Sequence, residues 1–443
     1  MDGVTLQEEG HVSAIRNPVR SARHSRVAPV AAILLAGLLS AVGCGGGGGT
    51  DFATFGVSTP STKYFQLVAG DLNNDQLIDL VALSSTDVDL VSTANRLDLF
   101  IQDSAEVGSF DLNSQQSVNE FLGSILVAHL DLDNRLDIAV TQPELGNMLI
   151  LRQFDAASGS YVAQIAYSVG PGAGAMAAGD IDLDGLSDLV IATSSGFVVR
   201  IQDTGSPGSF PTLRTIDASL DPSDGATPGL RTLDLGDING DGLLDVVTTR
   251  ADGARRYDHD GAVVGSFLSA QPLAFQDTPT TLTIADLDLD GQPDVVGAGP
   301  EFLSVLLQQT GSPGTFRPEF TVATQSATVA RFIGIADLND DGLPDVIVGN
   351  AAASGTANSI QVFLQSGPNF DLVLDATYDV PDSGEQAGAL LGLSVADLNA
   401  DGLPDVVVSQ TEIYLFVNDI QTPGTLTAPA QISGSGGSGS PLP

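Results

Sequence analysis

One nine-residue acidic pattern, D-x-D/N-x-D-G-x-x-D followed by three or four apolar residues, recurs seven times along the chain. The first copy is Asp71, Asn73, Asp75 and Asp79, with Gln76 in the glycine place; the second is His129, Asp131, Asp133 and Asp137, with Asn134 there. The third is Asp180, Asp182, Asp184, Gly185 and Asp188, the fourth Asp237, Asn239, Asp241, Gly242 and Asp245. The fifth is Asp286, Asp288, Asp290, Gly291 and Asp294, the sixth Asp337, Asn339, Asp341, Gly342 and Asp345, the seventh Asp397, Asn399, Asp401, Gly402 and Asp405. Successive copies begin 49 to 60 residues apart, the length of one four-stranded propeller blade. With 50 Gly, 23 Pro and only 16% charged residues, the composition suits short strands joined by tight turns. The expected fold is all-β: a seven-bladed β-propeller of four-stranded antiparallel blades.

A second element keeps the same register. Phe100-Ile101-Gln102, Ile201-Gln202-Asp203, Leu307-Gln308-Gln309 and Phe363-Leu364-Gln365 each lie near a glycine-rich turn, and the turns at 205–210 and 311–316 are almost identical. Each repeat therefore reads as strand, acidic loop, strand, connection, strand, glycine turn, strand.

The spacing of the acidic loop has a chemical reason. Calcium takes six to eight oxygens, and carboxylates or amides at positions 1, 3 and 5 point inward when the chain curls around an ion. Glycine at position 6 allows the sharp turn. The carbonyl at position 7 (Leu77, Leu186, Leu243, Gln292, Leu343, Leu403) adds a donor, and the Asp at position 9 closes the cage. Pro293, Pro344 and Pro404 at position 8 preset φ for the exit. Magnesium suits such a cage less well, because it keeps its waters. The loop is like that of an EF-hand, but the segments that follow it (LVAL, DVVTT, DVIVG, DVVVS) are short and β-branched, so the flanking helices are missing.

On these residues, from about Phe52 to Ile432, the chain resembles the FG-GAP or VCBS-type repeats, as in the propeller of integrin alpha subunits. The resemblance implies a calcium loop between the first two strands of each blade on one face, with partners commonly bound on the opposite face. Loops three to seven are complete, and loop one is expected to bind more weakly through Gln76. Loop two, with His129 in place of the first carboxylate, is expected to hold no metal. About five to six calcium ions follow, with Asp71, Asn73, Asp75, Asp79 and the corresponding residues of loops three to seven as ligands. At the ligand positions the seven loops carry 23 Asp, whose repulsion a cation would relieve.

Ahead of the repeats, Arg16, Arg20, Arg23 and Arg26 precede an apolar run, 27–42, that ends at Gly43-Cys44. This is the build of an export signal, too short and too interrupted by Pro29 and Gly37 for a membrane span. Ala41-Val42-Gly43-Cys44 resembles the bacterial lipobox, with Ala41 where Leu is usual. It implies cleavage of residues 1–43 and lipidation of Cys44; the glycine run makes 44–50 a flexible tether, the repeats give a propeller over 51–432, and the Gly/Ser-rich end reads as a disordered tail over 433–443. The expected location is extracytoplasmic, anchored to a membrane through lipid at the cell surface or in the periplasm. Asp51-Phe52-Ala53-Thr54-Phe55 and Gly424-Thr425-Leu426 both align with the start of the outer strand and compete for that place in the last blade; the N-terminal segment is the favoured one, since pairing the two ends removes exposed edges.

A net charge of -39 argues against nucleic acid and anionic membrane surfaces as partners, and Cys44, the sole cysteine, excludes an intrachain disulfide. No catalytic triad, phosphate loop or HExxH motif is present. The leading expectation is a monomeric binding or adhesion scaffold for a protein or glycan, not an enzyme; the alternative is a carbohydrate-active enzyme such as a polysaccharide lyase. Arg250, Arg255, Arg256, Tyr257, Asp258, His259 and Asp260 are the one concentrated basic and aromatic candidate site, and the favoured reading of them is an exposed hairpin around Asp252-Gly253. The connections from Ser84 to Asn95 and from Asn350 to Ser359 are the candidate partner-facing segments.

Overall fold

The computed structural model describes residues 62–85, 94–105, 107–155, 160–217, 232–325, 328–352, 357–367, 370–381, 390–410 and 412–432. Within them lie seven antiparallel sheets of four strands, each sheet built from consecutive strands in chain order. The first strand of each blade (Lys63–Gly70, Ile125–Ala128, Met176–Gly179, Leu233–Gly236, Thr281–Ala285, Thr328–Ala336, Gly392–Ala396) neighbours the first strands of the blades before and after it. The last of them meets the first, so the ring closes at seven. No helix among the described residues is long and apolar enough to cross a membrane.

The sequence dictates the layering within a blade. Second strands such as Asp79–Ser85, Asp188–Thr193 and Asp405–Ser409 are buried at every residue, because a neighbouring blade covers each of their faces. That is why they read as unbroken β-branched runs without polar alternation. Outer strands meet water, and Asp371–Asp379 is accordingly mostly exposed, with Asp at each end and at its centre. Near the axis space is short. A Cβ on Gly334 would lie 2.5 Å from Val395 Cγ2, and one on Gly236 2.9 Å from Ile284 Cγ2, so these inner-strand positions require glycine.

The core is divided into seven apolar clusters, one at each junction between blades. Burying a single Leu or Val side chain in such a cluster stabilises the fold by about 1.5–3 kcal/mol. The seam between the first and last blades has its own: Tyr64, Leu67, Leu80 and Phe100 pack against Leu398, Val407, Leu415 and Ile432.

That seam corrects the expected closure. The outer strand of the last blade is Ala430–Ile432, paired with Ile413–Phe416, so the C-terminal segment fills the place expected for Asp51–Phe55, which lies outside the described residues. The physical reason is register. Each blade begins with its innermost strand, and the seventh has four strands of its own before the chain ends. Side-chain contacts hold the seam, with the Ala69 amide donating to Ser394 Oγ at 3.3 Å and Gln102 Nε2 to the Leu398 carbonyl at 3.1 Å.

Candidate metal loops

All seven acidic loops join the first strand of a blade to its second, on one face of the ring. Two buried anchors fix each loop. The residue at position 2 (Leu72, Leu130, Ile181, Ile238, Leu287, Leu338, Leu398) has no exposed surface, and neither has the Asp at position 9. One oxygen of that Asp accepts the position-2 amide, at 2.9 Å in Asp79, Asp188, Asp294, Asp345 and Asp405 and at 3.1–3.3 Å in Asp245 and Asp137. The other oxygen accepts the amide that ends the third strand, from Gln102, Gln153, Gln202, His259, Gln308, Gln365 or Asn418, at 2.7–3.0 Å. Each position-9 carboxylate thus ties the acidic loop to the second and third strands.

The third-strand amide residues are components that sequence reasoning used only as register marks. The side-chain oxygens of Gln102, Gln202, Gln308 and Asn418 accept the amides of Gly108, Gly208, Gly314 and Gly424 in the following turn. Their side-chain nitrogens also stitch blades together. Gln153 donates to the Leu72 carbonyl, Asn418 to Leu338, and Gln102 to Leu398. The bond that joins consecutive blades therefore also closes the ring, and the repeated Gln was the available signal.

The rim of the loop is shaped by its own carboxylates. Asp180 accepts the amides of Asp184 and Gly185 at 3.0 and 2.9 Å, and Asp184 accepts that of Leu186 at 2.9 Å. The same set recurs around Asp71, Asp237, Asp337 and Asp397, and Asp286 likewise accepts from Asp290 and Gly291. Position 6 has φ between 84° and 94° at Gly185, Gly242, Gly291, Gly342 and Gly402, a region in which glycine is unstrained. In loop one Gln76 holds φ 75° without that freedom.

This curl gathers oxygens. Carboxylate oxygens of Asp180, Asp182 and Asp188 lie within 4.8 Å of one another, and so do those of Asp286, Asp288 and Asp294. An oxygen-only donor set of this kind fits a hard cation. In loops one, four, six and seven Asn73, Asn239, Asn339 and Asn399 stand at position 3, each accepting the position-5 amide. Burial pushes the position-9 carboxyls up, Asp79, Asp245 and Asp405 to about 7 and Asp137, Asp188, Asp294 and Asp345 to about 6. The two donated amides pull the other way. Asp182 and Asp288 are raised as well, by burial and then by the adjacent charges of Asp184 and Asp290. In loop five the half-exposed Arg317 offsets part of the charge, 2.9 Å from Asp288.

Loop two is built differently. His129 Nδ1 donates to the carbonyl of Arg135, the position-7 oxygen, at 3.0 Å. The Arg135 guanidinium clasps Asp133 through Nε at 2.9 Å and through a second, shorter bond, and Arg152 stands 3.6 Å from Asp131. Although burial opposes it, the Arg135 amide, Asp131 and the Arg135 guanidinium hold Asp133 below the usual carboxylate range. The other six loops have positive φ at both positions 4 and 6, whereas loop two has it only at Asn134.

The basic and aromatic residues of the fourth repeat do not form one cluster. The hairpin around Asp252-Gly253 is present, joining Asp245–Arg250 to Gly253–Tyr257, but Arg250, Tyr257 and His259 are buried, which corrects the expectation of an exposed segment. Arg255 pairs with Asp252 at 2.6 Å, while Arg256 pairs with Asp258 and donates to the Gly314 carbonyl of the next blade. The His259 ring stacks edge-on against Phe267 in place of the usual glutamine. At the two long connections the described ends are structural: Ser84 donates to the buried Asp98, Asn350 to Gln361, and Ser359 to Gln325. Residues 86–93 and 353–356 lie outside the described residues, as do Cys44 and the whole segment 1–61.

A closed ring of seven blades, with an acidic turn at the first corner of each, defines a repeat β-propeller. The chain belongs to the FG-GAP-like repeat family, whose profile matches residues 180–248, 237–297, 286–348 and 337–408. Together these span 180–408, just over half of the chain, and take in loops three to seven. No curated protein matches by sequence. Among solved structures, a proposed 6-phosphogluconolactonase from Bacteroides uniformis is 14% identical, covering 79% of this chain and 94% of that one, with a TM-score of 0.54. BBS1N in complex with ARL6DN is 12% identical, covering 81% and 90%, with a TM-score of 0.50. A lectin from Agrocybe aegerita that recognises terminal N-acetylglucosamine is 17% identical, covering 84% and 94%, with a TM-score of 0.49. At such identities these likenesses concern the fold alone.

Proposed function

We propose that this chain is a calcium-stabilised, lipid-anchored extracytoplasmic scaffold that presents a protein- or glycan-binding surface on the face opposite its acidic loops. The observation that carries the calcium reading is the convergence of three carboxylates in loops three and five, on a turn whose amides are already spent in shaping it. Asp, Asn and a backbone carbonyl at positions 1, 3, 5, 7 and 9 supply the oxygens. A divalent cation there offsets the repulsion among them and, by binding only the folded state, stabilises the ring. Support for the anchor is the basic and apolar leader ending at Cys44. The connections between second and third strands, together with those between blades, form the partner-facing side.

The test is thermal unfolding with calcium and after chelation. Removal of calcium lowers Tm by about 10 °C or more, calcium restores it and magnesium restores it poorly. An unchanged melt sinks the calcium reading. Separately, Cys44→Ala releases the protein from the membrane fraction, and a variant still pelleting with membranes refutes the anchor.

A further inference from the structure

We infer that blade two has exchanged its cation for two arginines and a histidine, and that its loop holds its shape with no divalent ion. Position by position, each donor is otherwise engaged. Position 1 is an imidazole rather than a carboxylate, and its Nδ1–H faces the position-7 carbonyl, the oxygen a cation would use. The position-5 carboxylate of Asp133 is held in a two-bond clasp by Arg135. Asp131 at position 3 faces Arg152, and Asp137 at position 9 holds two amides as in every other blade.

The repeats themselves supply the control. At position 7 the other six loops carry Leu77, Leu186, Leu243, Gln292, Leu343 and Leu403; only blade two has an arginine. The residue preceding the third-strand amide is Ile101, Ile201, Asp258, Leu307, Leu364 or Val417 elsewhere, and only blade two has Arg152. Loop five, which keeps all its carboxylates, has one arginine on its rim, Arg317 beside Asp288; the one loop that lacks its first carboxylate is the one with two, each placed on a different remaining carboxylate. Arg152 does more than neutralise. It donates to the Pro207 carbonyl of blade three at 3.0 Å, and a Cβ on Gly208 would sit 1.7 Å from its terminal nitrogen. The third blade's turn has been left open for this side chain, which pins loop two to its neighbour.

This inference rests on the proposal that the other loops take calcium, and the experiment separates the two. Native mass spectrometry counts the ions on wild type, on Asp131→Asn/Asp133→Asn, and on a triple variant, His129→Asp/Asn134→Gly/Arg135→Leu, which rebuilds the complete pattern. The double variant is expected to keep the wild-type count and the triple variant to gain one ion. A double variant that loses an ion, or a folded triple variant that gains none, overturns the exchange; if the triple variant does not fold, the double variant decides. In excess chelator, Arg135→Leu/Arg152→Ile is expected to lower Tm by about 2–4 °C. No shift refutes the arginine staple even where the wild type binds no calcium in any loop, an outcome that would sink the calcium reading by itself.

Discussion

Loops two and three sit in adjacent blades, at the same corner and on the same two anchors, yet they manage their charge in different ways. Loop three brings Asp180, Asp182 and Asp188 together, and among the described residues no ion pair to an arginine is seen on them. Loop two sets Arg135 and Arg152 against Asp133 and Asp131. What they share is the buried part, Ile181 with Asp188 and Leu130 with Asp137. The comparison separates two jobs that the sequence pattern merges: in both loops the position-9 carboxylate organises the backbone, and in loop three it also meets the rim carboxylates in one oxygen cluster that fits a cation. Only the rim is free to change chemistry.

The most damaging change should therefore be the same in both loops. Asp188→Ala leaves the Ile181 and Gln202 amides buried without acceptors, and Asp137→Ala does the same to Leu130 and Gln153. Each is expected to cost about 3 kcal/mol, measured by denaturant unfolding, with and without calcium. If Asp137→Ala is silent while Asp188→Ala is severe, position 9 is a metal ligand first and an organiser second.

A middle-sized effect concerns pH. The position-9 carboxyls lie at about 6 to 7, above the ordinary value near 4 that they regain on unfolding. The folded chain therefore binds protons more tightly than the unfolded one. That contribution to stability is present in full below about pH 4 and is lost as pH rises through 6 to 7. In chelator, Tm is expected to fall from pH 4.5 to pH 7.5; with calcium, which favours the ionised form, the fall should disappear. Within the comparison, Asp137 is expected to go on titrating near 6 in calcium while Asp188 does not, which carboxyl chemical shifts would distinguish. A chelated protein whose Tm rises over this interval would mean that the two donated amides outweigh burial.

How far the sequence could be read follows the same division. The seven acidic turns, the buried β-branched strands after them and the glycine at position 6 are local patterns set by chain geometry and burial, so they were legible. The ring seam was not, because Gln102 meets the Leu398 carbonyl across 296 positions, and the repeated Gln marks a contact without marking which repeat it reaches. Nor was Arg152 legible as a partner of loop two. It lies in a third strand and reads as an ordinary strand residue until the blade folds it back over Asp131. The acidic character of the position-9 Asp is visible in the sequence and marks it as a ligand candidate; its burial, and with it the hold on two backbone amides, is not.

The smallest effect concerns position 6 and tests whether loop one differs from loop three only in backbone strain. Gln76 holds φ 75° and Gly185 φ 88°, in the left-handed region where a residue with a Cβ costs about 1 kcal/mol more than glycine. A Cβ added to Gly185 would meet nothing within 4 Å, so Gly185→Gln carries this conformational cost and no clash. Gln76→Gly is accordingly expected to stabilise the protein by about 0.5–1 kcal/mol and Gly185→Gln to destabilise it by a similar amount. Because the left-handed turn orients the amides of positions 5 and 6 toward the first carboxylate, both changes should move calcium affinity in the same sense as stability. If Gln76→Gly raises stability but leaves affinity unchanged, the weakness of loop one lies in its donors: the position-3 oxygen is then the cause, since Asn73 stands where loop three has the charged Asp182.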